Sequence, residues 1–290
     1  MNFKDFLVNL QSIRDYEDSN VENFILGDIR AYLNEINTAV GREKGFSLFL
    51  FENGQEVFNK LEGVGGYSGV MIKSPHYIGL KLYNDNQETE FLGAYFMQSV
   101  VKKLFEMELG SCWVNIRNVS HAIKSELLND EKGNINYILA FGKADEKALK
   151  QKSPSLYVQN TSTSPYGYKI IEDKGVDNAR LAVSEIVYIN EWGNEVSFDE
   201  LESRGIGDIF FFVRNAPSYK NMQPCRFILR DGEAYLAIVN PENIENYVDA
   251  GIMMYTTEGL AKDLGIPAKW CFIGDKDESK EYKIVARIEL

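Results

Sequence analysis

At 290 residues, 44% apolar and 26% charged, the chain has the make-up of an ordinary globular protein, with room for one large domain or two of common size. A net charge of −12 argues against nucleic acid, and any phosphorylated ligand needs local cations to oppose that background. Three cysteines with no CxxC pair and only two histidines argue against a zinc site and suit a reducing, cytoplasmic setting. No basic, then apolar, leader opens the sequence, and the longest apolar runs, such as Ile209–Val213, fall far short of a membrane span.

Apolar residues at Phe3, Phe6, Leu7 and Leu10 recur as one face of a helix, and a second helical pattern runs through Phe24, Ile25, Ile29, Tyr32, Leu33 and Ile36. Phe46–Phe51 reads as a strand that meets a hairpin signal at Asn53-Gly54. Four glycines between Gly63 and Gly69 lack the Gly-Lys-Ser/Thr ending of a phosphate loop and read as a flexible connection. Pro75–Leu82 follows as a buried strand in which His76 is a packed histidine, without a partner that would make it a catalyst.

The strongest helical pattern of the first half spans Glu90–Gly110, with Leu92, Phe96, Val100 and Leu104 four apart and Gly110 as its C-terminal cap. Ser111-Cys112-Trp113-Val114-Asn115-Ile116 comes next, and a strand at Ile135–Phe141 precedes Gly142. Residues 143–176 hold Ser-Pro breaks and like-charged lysines and read as an exposed connector.

The pattern then begins again. A helix-like run, Leu201–Val213, feeds a turn bracketed by Pro217 and Pro224. Phe227–Gly232 parallels Phe49–Gly54, and a helix over Val248–Leu264 ending at Gly265 is followed by Trp270, as the earlier helix is by Trp113. A last strand, Tyr282–Leu290, parallels Ile135–Phe141. Such a repeat predicts two copies of one structural unit, divided into 1–176 and 177–290.

Ala216-Pro-Ser-Tyr-Lys-Asn221-Met-Gln223-Pro-Cys225-Arg-Phe227 resembles the Ala-Pro-Ser-x-x-Asn-x-Gln-Pro-Trp-Arg-Phe motif of flavin-dependent nitroreductases, with Cys225 in place of Trp. Gln11-Ser12-Ile-Arg14-Asp-Tyr16 resembles the Arg-Arg-Ser-x-Arg-x-Tyr/Phe opening of that family, with Leu10 and Gln11 where its leading arginines stand. The segment after Gly110 and the stretch around Arg180 resemble two further parts, and the doubling resembles the tandem branch, a dimer fused into one chain.

The resemblance implies an α+β, nitroreductase-like fold: two helix-flanked, mainly antiparallel sheets forming an intrachain pseudo-dimer. It implies FMN as cofactor, NAD(P)H as hydride donor and a nitroaromatic or quinone as acceptor, with no metal and no protein nucleophile. It assigns Arg14 to charge on the reduced flavin, Ser12 and Arg180 to the phosphate, and Pro217, Ser218, Asn221 and Gln223 to the ring and ribityl chain. Cys112, Val114 and Asn115 would face the flavin N5 region through backbone groups. Only the first half keeps Ser12 and Arg14 and only the second keeps the turn, so one composite site is expected per chain. On residue type alone the turn is also readable as a polar surface turn, Arg14 as a surface cation and Trp113 as core. The rival readings are a non-catalytic flavin-binding protein and an interaction protein with a decayed site. A hydrolase is weaker still, because neither His76 nor His121 accompanies a nucleophile motif.

Overall fold

The computed structural model describes residues 2–84, 86–131, 134–145, 157–160, 168–171, 179–273 and 281–290. The first half contains α1 (Phe3–Asn9), α2 (Asn23–Ile36), which runs through a π-helical turn into α3 (Arg42–Lys44), then β1 (Phe46–Phe51), α4 (Gly54–Leu61), β2 (His76–Leu82), α5 (Gln87–Glu106), β3 (Gly110–Asn115), α6 (His121–Leu128) and β4 (Asn134–Gly142). Of the expected connector, the described parts are residues 143–145, with Ala144 bridged to Tyr16, and a two-stranded antiparallel sheet, β5 (Tyr157–Asn160) with β6 (Tyr168–Ile171). The expected division between 176 and 177 lies outside the described residues. The second half holds α7 (Val183–Ile186), β7 (Val187–Ile189), α8 (Phe198–Ser203), α9 (Gly207–Val213), β8 (Cys225–Arg230), β9 (Glu233–Val239), α10 (Glu245–Asp263), β10 (Trp270–Phe272) and β11 (Tyr282–Glu289).

Strand order establishes the repeat. The first sheet runs β1-β2-β4-β3 and the second β8-β9-β11-β10, every one of these pairings antiparallel. The second sheet adds β7 parallel to β8 at its free edge. The chain is thus an α+β protein made of two copies of one helix-flanked, mainly antiparallel unit.

The copies differ where β1 meets β2. Between β8 and β9 the chain reverses through Asp231 and Gly232, both at positive φ, as a two-residue hairpin requires. The Asn53-Gly54 hairpin signal is not realised: the Asn53 side chain accepts the Glu56 N–H (3.3 Å) and caps α4 instead. Asparagine serves both roles, and here the helix wins. Helices α4 and α6 cover one face of the first sheet over Val57, Leu61, Val114, Ile135 and Ile138. His76 is buried, accepting the Val21 N–H at Nε2 (3.1 Å) while Nδ1 meets the Glu52 carbonyl (2.8 Å), and burial lowers its pKa.

The other face of each sheet packs on the paired helices α5 and α10, inside a core that runs through both halves. A Cβ at Gly251 of α10 would lie 2.2 Å from the Phe91 carbonyl oxygen of α5, so these helices touch backbone to backbone. The predicted Gly110 cap is corrected. The helix stops at Glu106, Glu108 takes the left-handed conformation (φ 59°), and Gly110 opens β3. What position 110 needs is space, since a Cβ there would meet Ile13 at 2.7 Å. The predicted Leu201–Val213 helix is likewise two pieces, α8 and α9. Helix α1 docks on the second half: the Phe3 N–H donates to the Asp263 carboxylate, and Lys4 pairs with Asp208.

Two glycine-to-alanine changes inside helices should therefore have opposite signs. Gly27→Ala in α2 introduces a methyl with nothing within 4 Å and should stabilise by about 0.5–1 kcal/mol through helix propensity. Gly251→Ala should destabilise by about 2 kcal/mol or more, because the obstacle is backbone that cannot step aside. Denaturant unfolding of both variants measures this; a stabilising Gly251→Ala would contradict the close crossing.

Candidate functional site

Ala216 anchors the proline-bracketed turn, buried among Ala94 of α5, Tyr137 of β4, and Val248 and Ile252 of α10, with Trp113 alongside. Beyond it Lys220, Asn221 and Gln223 all stand at positive φ (50°, 56° and 47°), which non-glycine residues adopt only when their surroundings enforce it. The enforcement is visible. Ser218 Oγ accepts the Gln223 N–H (3.0 Å), and the buried Asp249 carboxylate of α10 accepts the Tyr219 N–H with both oxygens (2.9 and 3.1 Å). Residues 179–181 lie across the turn as a strap. Asn221 and Gln223 each donate a side-chain N–H to the Ala179 carbonyl (3.0 Å each), and Gln223 Oε1 accepts the Leu181 N–H (2.9 Å). Arg180 donates to Asn221 Oδ1 (3.0 Å) and to the carbonyls of Ala216 (3.1 Å) and Asn215 (3.2 Å). Burial and the neighbouring Arg214 lower the Arg180 pKa to about 10, which leaves it a cation at neutral pH.

The first half's residues gather along β3. Ser12 bridges Ser111 in parallel, and Ser111 O accepts the Ile13 N–H (3.0 Å). Tyr16 fixes this segment by donating to Ile13 O (2.6 Å) and Ala140 O (3.1 Å). The Ser12 hydroxyl meets the Cys112 thiol, whose pKa burial raises despite the nearby Arg14. Arg14 is exposed, and among the described residues it makes no ion pair; it lies on a cleft of about 1070 Å³ that also holds Asp15, Glu17, Asp18 and Glu52. Strand alternation sends Val114 into the layer under α4 and α6, whereas Trp113 faces α5, donating to Gln98 Oε1 (3.2 Å). Asn115 O accepts the Gly66 N–H (3.0 Å), so the glycine-rich stretch is a tied loop, not a free one. Lys220 reaches that loop, its ammonium 5.1 Å from the Tyr67 ring.

The structure thus brings the turn (Pro217, Ser218, Asn221, Gln223) and Arg180 together in one unit, and that unit meets the loop tied to the Asn115 end of β3. Ser12, Arg14 and Cys112 sit at its other end, roughly 13 Å away at strand rise. Each group belongs to a different half.

Sequence reading missed a buried polar network at this junction. Arg117 donates to Glu90 of α5 (2.5 Å) and Glu245 of α10 (3.2 Å), with its guanidinium over Tyr137. Asn136 also donates to Glu90 (3.1 Å), and Lys124 donates to Asn136 Oδ1 (2.9 Å). Tyr137 Oη, Gln98 Nε2 and Glu245 Oε2 are buried without a hydrogen-bond partner among the described residues. One signal was available: Glu90 shares a helix face with the buried Ala94, Met97 and Val101.

A fold of two such antiparallel units, packed together through one helix from each, is that of a nitroreductase. It is shared over the full length with a solved "putative nitroreductase" from Thermotoga maritima MSB8, which is 15% identical, covers 100% of this chain and 94% of that chain, and has a TM-score of 0.59. Residues 3–261 match the family described as "Putative TM nitroreductase", and the chain belongs to that family of oxidoreductases. Weaker likenesses include an FMN-dependent nitroreductase from Clostridium difficile R20291 (22% identity, 49% of this chain and 87% of that one, TM-score 0.41). Nitroreductase A from Vibrio parahaemolyticus is another (15%, 70% and 82%, 0.45). No curated protein matches the sequence. No helix of the described residues is long and apolar enough to cross a membrane.

Asp249 supplies a pH test of the turn's anchor. Burial, with Glu245 one turn away, pushes its carboxyl up to about 8, although the Tyr219 N–H favours the charged form. Folded protein then holds a proton that unfolded chain releases near pH 4, so this group's contribution falls as pH rises from about 4 to 8. Asp249→Asn keeps an acceptor for Tyr219 and removes the titration. Its stability relative to wild type should climb steadily across pH 5–8 in parallel urea titrations. A pH-independent difference would show that Asp249 is already ionised.

Proposed function

We infer that the chain is an FMN-dependent reductase whose single flavin site per chain is composite, built from β3 and the Ser12–Arg14 segment of the first half and the Pro217–Pro224 turn of the second. The observation that carries this reading is the seating of the second half's turn against the first half's sheet, through Ala216 on Tyr137 and Lys220 on Tyr67, in a member of this family. FMN is the cofactor in the name of the Clostridium difficile relative. The residues present fit such a group. Tyr137 Oη, on the residue that packs against Ala216, and Gln98 Nε2, on the residue bonded to Trp113, are buried polar atoms without a hydrogen-bond partner among the described residues, and the exposed Arg14 guanidinium makes no ion pair among them.

Bound FMN would supply hydride chemistry, taking hydride from NAD(P)H and passing reducing equivalents to a nitroaromatic or quinone acceptor. The protein's work is to bind and orient. Ser12 and Arg14 offer a hydroxyl and a cation in a chain of net charge −12, where an anionic ligand needs both. Cys112 and Val114 contribute backbone only, since their side chains are buried. Asn221, Gln223 and Arg180 act together, because the strap that fixes the turn uses all three. The role of Arg180 is therefore positioning, which differs from the phosphate contact implied by family resemblance. A pseudo-dimer divided near residue 176, monomeric in a reducing cytoplasm, accords with this reading.

Titration of flavin fluorescence should saturate near one FMN per chain, and two equally tight sites would refute the composite model. Arg180→Ala removes charge-assisted hydrogen bonds worth roughly 1.5–3 kcal/mol in all. If it acts through the turn, FMN and riboflavin should both weaken by about 10- to 100-fold. Loss confined to FMN would instead put Arg180 on the phosphate.

A further inference from the structure

Lys220 stands at the tip of the turn with its ammonium 5.1 Å from the centroids of two tyrosine rings, Tyr219 beside it and Tyr67 from the other half. Among the described residues no carboxylate pairs with it, although acidic side chains outnumber basic ones by 43 to 31. Its backbone is not free to wander. Lys220 is held at φ 50° between the Tyr219–Asp249 bond and the strap that grips Asn221. Tyr67 is held too, on a loop closed by the Gly63 N–H to the Gly69 carbonyl (3.1 Å) and tied by Gly66 to Asn115. Yet Tyr67 and Met222 are 66% and 63% exposed. A fixed cation and a fixed, exposed aromatic face thus stand together where the halves meet.

We propose that Lys220 and Tyr67 form the acceptor subsite and select a planar aromatic that carries an anionic group. The proposal rests on the flavin reading above. The acceptor ring stacks on the free face of Tyr67, and its carboxylate or comparable anion takes the ammonium, which the ring faces leave with open donor positions. A neutral acceptor keeps only the stacking contact. The chain's excess of negative charge disfavours anions elsewhere, so at this junction discrimination depends on Lys220.

The test compares 4-nitrobenzoate with its methyl ester by isothermal titration calorimetry of the purified full chain, as wild type, Lys220→Met, Lys220→Arg and Tyr67→Ala. Wild type should bind the acid about tenfold or more tightly than the ester. Lys220→Met should bring that ratio close to one, Lys220→Arg should keep most of it, and Tyr67→Ala should weaken both ligands by a similar factor. A wild type that binds both equally, or a ratio that survives Lys220→Met, would overturn the proposal. So would a Lys220→Met effect confined to the choice between NADPH and NADH, which would assign the cation to a nucleotide phosphate. FMN titration of the same samples reports separately on the flavin reading. Acid-over-ester selectivity without FMN uptake would remove the flavin and keep the anion site, while FMN uptake without selectivity would do the reverse.

Discussion

The architecture depends on one close approach, α5 against α10, where Gly251 rests on the Phe91 carbonyl. Each helix also covers its own sheet, so a separation between them would open the core that runs through both halves. Backbone contact of this kind tolerates almost no added volume, because packed interiors resist displacement. It also sets the register of one half on the other. Ala94 and Tyr137 from the first half meet Ala216, Val248 and Ile252 from the second only at this crossing. The position of the turn follows from that register.

The turn itself balances strain against hydrogen bonding. Three non-glycine residues at positive φ each carry a penalty of order 1 kcal/mol. The strap, Ser218 and Asp249 together supply enough hydrogen bonds, at about 1 kcal/mol net each, to offset it. The same side chains that look like ligand contacts in a linear motif are thereby engaged with one another. Their effect on a ligand is to present Ser218, Tyr219 and Lys220 in a fixed array, which limits the ordering entropy that binding would otherwise require.

Charges at the junction divide into two groups. Arg117 and Arg180 are enclosed and satisfied, the first by two carboxylates and the second by carbonyls and an amide oxygen. A buried charge without such partners would be strongly destabilising, so these arginines hold elements together. Arg14 and Lys220 are exposed and, among the described residues, make no ion pair. In a chain with twelve excess negative charges, exposed cations of this sort are the ones available to an anionic ligand.

Periodicity and turn chemistry are local, and the sequence by itself determined what depends on them: the two long helices, most strands, the end of the second long helix just before Gly265, which stands at positive φ, and the doubling of the unit. The resemblance to the nitroreductase family was legible at Ala216–Phe227 because its proline spacing is specific. Competing local signals were not resolvable in the same way. Asn53-Gly54 suits a hairpin and a helix cap equally, and the choice came from the packing of α4 over the sheet. Gly110 suits a helix end, yet Ile13, nearly a hundred residues earlier, decided its use. The pairing of Arg117 with Glu90 and Glu245, the strap at 179–181 and the meeting of Lys220 with Tyr67 join residues that are distant in the chain. Only the tertiary structure decided them, since hydrogen-bond partners and ring contacts are chosen by proximity in space, which no local pattern encodes.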